Sequence, residues 1–149
     1  MKYLLLLLLS FPSLATVELV NGSVSDYHFK RLTKVAYVLN HAFSNPSFKR
    51  EIKEIDPALV NHIEGYTRMV VRGDTFLTNQ IAFYDGDLII SSDMIGQMSA
   101  FHASTICHEL AHSWGYEHDS KVIDYYDSVP VLFGDACRYY YMKNVRNWR

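Results

Sequence analysis

Several protein classes are excluded by what this 149-residue sequence lacks. It has no Gly-, Pro- or Ser-rich tract and no internal repeat: with 7 Gly, 4 Pro and a composition that is 49% hydrophobic and 20% charged, it is neither a disordered nor a low-complexity chain. It has no excess of positive charge. Its 14 Lys and Arg face 16 Asp and Glu, which leaves no basic stripe for a nucleic acid or an anionic membrane. Its two cysteines, Cys107 and Cys137, allow one disulfide at most. Past the N-terminus, no stretch approaches the ~18 apolar residues of a membrane span. One soluble domain with a modest core is the expectation for this length.

The dense apolar run stands at the start, "MKYLLLLLLSFPSLAT", where Lys2 precedes Leu4 to Leu9 and Ser13-Leu14-Ala15 closes in small residues. It reads as a signal peptide over residues 1–15, cut after Ala15, with a single domain over 16–149. The mature chain is expected to be exported, periplasmic or secreted, without a stable membrane anchor; a retained anchor is the alternative. Loss of Lys2 makes the charge balance one unit more acidic. For an exported chain, the cysteine pair is compatible with a bridge closing a loop of 30 residues, against two buried thiols.

Residues 16–25 read as an extended lead-in, and Ser25 or Asp26 as the cap of a helix reaching Ser44. The apolar positions Phe29, Leu32, Val35, Ala36, Leu39 and Phe43 form a helical stripe. Asn45-Pro46 breaks it. A short helix over Ser47 to Ile55 follows, then Asp56-Pro57 and a further turn through Val60 to Ile63. From Thr67, "TRMVVR", "TFLTN" and "IAFYDGDLII" read as three or four antiparallel strands, with Asp85-Gly86 as a two-residue hairpin loop. Ser99 is expected to cap a helix whose positions Ala100, Ala103, Cys107, Leu110 and Trp114 share a face and whose end is Gly115. After an irregular stretch through Pro130, a C-terminal helix is predicted from Gly134 to Asn144.

The stretch "HELAHSWGYEH", residues 108–118, carries the chemistry. His108 and His112 lie four apart, so a helix projects both imidazoles from one side. Gly115 lets the chain bend and bring His118 back to the same ion. Three neutral imidazoles with an open fourth position describe a catalytic zinc site more than a structural one, because structural zinc has four protein ligands. Glu109, next to the first ligand, is the expected general base toward a zinc-activated water, and one Zn²⁺ would also polarise a scissile carbonyl.

"HELAHSWGYEHD", His108 to Asp119, resembles the metzincin zinc endopeptidases, and the Asp after the third histidine is similar to the adamalysin-like branch. The resemblance implies zinc on His108, His112 and His118, Glu109 as base, a cleft bounded by an antiparallel edge strand, and peptide or protein substrates. It implies an α+β zincin fold: a small antiparallel or mixed twisted sheet packed on the active-site helix and a C-terminal helix. The methionine turn of that clan has no counterpart, since no Met lies between His118 and Met142; "YYDSVPVLFG" stands in its place, with Val129-Pro130 as the expected floor.

Tyr125 and Tyr126 lie in the loop expected near the metal, where a phenol stabilises an oxyanion or takes a fifth metal position, or merely packs. Asp119 is read as a stabiliser of the bend or a partner of a ligand imidazole, not as a ligand. Tyr139, Tyr140 and Tyr141 read as one helix-surface cluster, part core and part exposed. His28, His41, His62 and His102 are surface or half-buried histidines, Ile81 to Tyr84 is the candidate substrate edge, and Cys107 faces away from the metal. The reading that results is an exported zinc metallopeptidase; a noncatalytic zinc-binding interaction module and a zinc amidase acting on a nonpeptide or cell-wall amide remain alternatives.

Overall fold

The computed structural model describes residues 16–74, 82–84, 86–91, 99–118 and 125–145. Residues 1–15, with the expected signal peptide, lie outside them, as do the "TFLTN" segment, Ile81, Asp85 and Asp119.

The chain is α+β. It opens with β1 (Thr16–Asn21), a strand where the sequence read as a lead-in. Its partner is β2 (Tyr66–Asp74), and the pairing is parallel from Thr16↔Tyr66 to Asn21↔Val71. The three helices between them form the crossover that a parallel pair requires. First comes α1 (Asp26–Ser44), capped by Ser25, whose hydroxyl accepts the His28 N–H. Its stripe Leu32, Val35, Ala36, Leu39, Ala42 and Phe43 is buried. Asn45 ends α1 and caps α2 (Pro46–Ile55), its Oδ1 accepting from the Ser47 and Phe48 N–H groups at 2.8 and 3.2 Å. Pro46 sits at the helix start, where no amide hydrogen is needed. Asp56 then accepts the Ala58 N–H at 2.7 Å and leads into α3 (Ala58–Ile63).

The sheet order corrects the expectation of antiparallel strands before the motif. It runs β1-β2-β4-β3, with β3 over Ala82–Tyr84 and β4 over Leu88–Ser91. β4 pairs with β2 in parallel, and among the described residues the antiparallel pairing is confined to the β3–β4 hairpin. Tyr84 pairs with Leu88, a wider spacing than a two-residue loop allows, and Gly86 adopts the positive φ of +74° between them. Parallel partners far apart in sequence leave no local signature, whereas a hairpin does. Among the described strands, β1 and β3 are the edges. At the first, the Asn40 side chain takes the place of a neighbouring strand, accepting the Val17 N–H at 2.7 Å and donating to the Val17 carbonyl at 3.1 Å.

Helix α4 (Ser99–Ser113) and α5 (Val129–Val145) complete the described fold. Ser99 is already the first residue of α4. α5 begins five residues before the expected Gly134, because Pro130 in a first turn continues a helix instead of delaying it. α4 is buried nearly all round, between sheet and helices, which is why His102, expected at or near the surface, is only 2% exposed. Phe43, Phe48, Phe133 and Tyr140 form an aromatic core between α1, α2 and α5. A disulfide joins Cys107 to Cys137 and so fastens α4 to α5. No helix among the described residues is long and apolar enough to cross a membrane.

Candidate metal centre

His108 and His112 project from successive turns of α4. The helix then ends in two backbone bonds, Gly115 N–H to the His112 carbonyl at 3.0 Å and Tyr116 N–H to the Ala111 carbonyl at 3.1 Å, with Gly115 at φ +91°. This is the Schellman ending, and it needs the left-handed residue that glycine supplies. Its consequence is positional. The reversed chain lays the Tyr116 carbonyl 2.7 Å from His112 Nδ1 and carries His118 back over the last turn of the helix. Trp114 fixes the same corner, stacked on His62 at 5.0 Å and packed on Phe133, while the Tyr116 ring meets His62 edge-on.

The three imidazoles converge through one atom type. The Nε2 atoms of His108, His112 and His118 are mutually 3.2 Å apart. Among the described residues they form the group of His, Cys, Asp or Glu able to hold a metal ion. A tetrahedral ion with metal–imidazole bonds of about 2.0–2.1 Å has donor–donor edges of about 3.3–3.4 Å, so the spacing fits. The chemistry of the donors fits too. A carbonyl only accepts, so the Tyr116 oxygen requires the proton of His112 on Nδ1 and leaves a lone pair on Nε2. A lone pair aimed at two other ring nitrogens is a geometry that a cation between them would satisfy.

Electrostatics agree with this. Burial, and then the neighbouring His112 and His118, lower the His108 pKa to about 4, and burial also lowers that of His118. Neutral imidazoles, the form that ligates, are thereby favoured. Glu109 is 4% exposed, and burial pushes its pKa up to about 7 against the opposing hydrogen bond from the Tyr84 backbone N–H. Its Oε2 is buried without a hydrogen-bond partner among the described residues. Glu109 therefore lies between the cluster's helix and the edge strand β3, with an acceptor oxygen uncommitted.

The remaining sequence candidates separate. Tyr125, in a short 3-10 turn (Tyr125–Asp127), packs its ring on His118 at 4.5 Å, whereas Tyr126 lies edge-on to Tyr125 and is exposed. His28 bonds Ser25, His41 bonds Tyr140 at 2.7 Å, and His62 stacks on Trp114, so none joins the cluster. Cys107 is committed to the bridge behind it. Tyr139 is exposed, Tyr141 half-buried and Tyr140 in the core.

Two residues at the site escaped the sequence reading. Ser128, 4% exposed, has its hydroxyl 2.8 Å from His118 Nδ1. Gly134 lets α5 approach α4 beneath His108: a Cβ there would lie 2.9 Å from the Ser104 carbonyl and 3.5 Å from His108 Cβ. The signal for Ser128 was present in "DSVP", a serine two residues before a proline, which marks a helix start. Gly134 had no local signal, since the residue it accommodates is thirty positions away. No protein-family model matches the chain, and no curated protein or solved structure does.

Proposed function

We propose that this chain is an exported, zinc-dependent peptidase of the metzincin type, with His108, His112 and His118 as the zinc ligands and Glu109 as general base. The observation that carries the reading is the joint placement of three Nε2 atoms 3.2 Å apart and a buried, half-satisfied carboxylate on the same helix. Three imidazoles leave a tetrahedral ion one open position, the arrangement of catalytic rather than structural zinc. When bound, zinc supplies Lewis acidity that acidifies water and polarises a carbonyl. Glu109 takes a proton from the attacking water and returns it to the leaving amine nitrogen, so that H and OH add across the broken C–N bond. The edge strand β3, whose Tyr84 N–H reaches Glu109, offers an extended peptide a strand to pair with beside that base.

Export rests on the signal-like residues 1–15 and agrees with the Cys107–Cys137 bridge, which persists in oxidising compartments. The deciding experiment is zinc content of the purified protein and its Glu109→Ala variant, alongside cleavage of an unfolded protein. We expect one zinc per chain in both, with cleavage confined to the parent, abolished by a chelator and reduced at least about 10²-fold in the variant. Zinc in both and cleavage of a cell-wall amide alone would turn the assignment to an amidase. Zinc with no hydrolysis of either substrate would leave a binding module, and no zinc in the parent would end the reading.

A further inference from the structure

The three ligands do not hold themselves. His112 is oriented by the Tyr116 carbonyl, whereas His118 lies beyond the end of α4 and, among the described residues, its Nδ1 meets a hydroxyl ten residues on, at the start of the next helix. We infer that Ser128 is the positioning residue of the third ligand, setting both the tautomer and the orientation of the His118 imidazole.

The argument is one of proton counting. The Ser128 hydroxyl lies 2.7 Å from the Tyr125 carbonyl and 2.8 Å from His118 Nδ1. A carbonyl cannot donate, so the single hydroxyl proton goes to Tyr125. The hydroxyl oxygen then receives the Nδ1 proton of His118, and in a neutral imidazole that leaves the lone pair on Nε2, the atom facing His108 and His112. Were the hydroxyl proton turned toward Nδ1, the imidazole proton would sit on Nε2 and block ligation. Tyr125 thus determines, through Ser128, which nitrogen of His118 is available.

Location adds to this. Ser128 is the cap residue of α5, its carbonyl accepting the Leu132 N–H at 3.0 Å, and it is 4% exposed, so water does not compete for the hydroxyl. α5 is in turn bonded to α4 through Cys137–Cys107. The third ligand is therefore tied, through Ser128, to the helix that is fastened behind the first. Here the chain has the hydroxyl, and the Tyr125 ring packed on His118, at the place where the methionine turn has no counterpart.

The inference rests on the proposed metal site but not on hydrolysis, and its test reads neither cleavage nor substrate. ¹⁵N NMR of the imidazoles in the metal-free protein above neutral pH is expected to show His118 as the Nδ1–H tautomer. Ser128→Ala should lose that preference and Ser128→Thr should restore it. Zn²⁺ affinity, measured by competition with a chromogenic chelator, should fall about 10–100-fold in Ser128→Ala and recover in Ser128→Thr. An Nε2–H tautomer for His118 in the parent overturns the inference even if no variant folds. So does an unchanged tautomer and affinity in Ser128→Ala, or a parent that binds no Zn²⁺. A parent that binds zinc and shows the expected shifts yet cleaves nothing sinks the peptidase reading and leaves Ser128 in its place.

Discussion

At the scale of single residues, the site is a contest between burial and charge. Glu109 is buried on the helix that carries His108 and His112, and its carboxyl in the metal-free protein is held at about 7 by desolvation. A carboxyl whose folded pKa lies above its unfolded value near 4.5 binds more protons in the native state, so stability falls as pH rises through the interval between the two. Each pH unit of that interval is worth about 1.4 kcal/mol, so the metal-free protein should lose as much as about 3 kcal/mol from this group between pH 4.5 and 7. Glu109→Gln should remove that falling component and leave the opposite one of His108, so that the variant gains stability relative to the parent as pH rises. Urea unfolding in chelator across this range checks it, and an equal slope in parent and variant would show that Glu109 is not the titrating group. His108 acts oppositely. Its pKa is depressed to about 4, so its contribution is present above the unfolded value of 6.5 and is lost as pH falls toward 4.

At the scale of elements, the corner after α4 decides whether His118 joins His108 and His112. Gly115 has φ +91° and open space around the position of a Cβ, so a substitution there is opposed by backbone conformation and not by a clash. Gly115→Ala should cost about 1–2 kcal/mol, the penalty for a left-handed L-residue. It should also weaken zinc binding, because the same turn sets the Tyr116 carbonyl on His112 and the path to His118. Thermal unfolding of the metal-free protein reads the first effect and chelator competition the second. A variant with full affinity would mean that the corner can be built without the left-handed residue. At the other helix, the contact at Gly134 has no such freedom. A methyl group meets the Ser104 carbonyl at 2.9 Å, so α5 sits close beneath His108 only because that position carries no side chain.

At the scale of the whole molecule, one sheet and two joined helices hold a site built from a single short segment. The Cys107–Cys137 bridge closes a loop of 30 residues that contains His108, His112, His118 and Ser128. The chain-entropy relation gives it about 3–4 kcal/mol of stabilisation. Replacing both cysteines by alanine should lower unfolding stability in chelator by about that amount. Denaturant unfolding of the two proteins side by side makes the test, and equal midpoints would mean that the crossing of α4 and α5 is held by packing alone. A chain of this size has few other ways to make a ligand set rigid.

What the sequence by itself determined is what short range can encode. The cap at Ser25, the break at Asn45-Pro46, the stripe of α1, the helical spacing of His108 and His112 and the stop at Gly115 each follow from residues within a turn or two of one another. The cysteine pair was legible as a possibility, and only the crossing of α4 and α5 brought its two members into bonding range. Tertiary structure alone decided the rest. The parallel pairing of β1 with β2 joins residues fifty apart, and the place of β4 between β2 and β3 depends on which edge the crossover leaves open. Ser128 became the partner of His118 only when the start of α5 folded against the end of α4. Local interactions choose conformations, but the partner of an edge, a lone pair or a hydroxyl is chosen by whichever distant group the fold brings within about 3 Å.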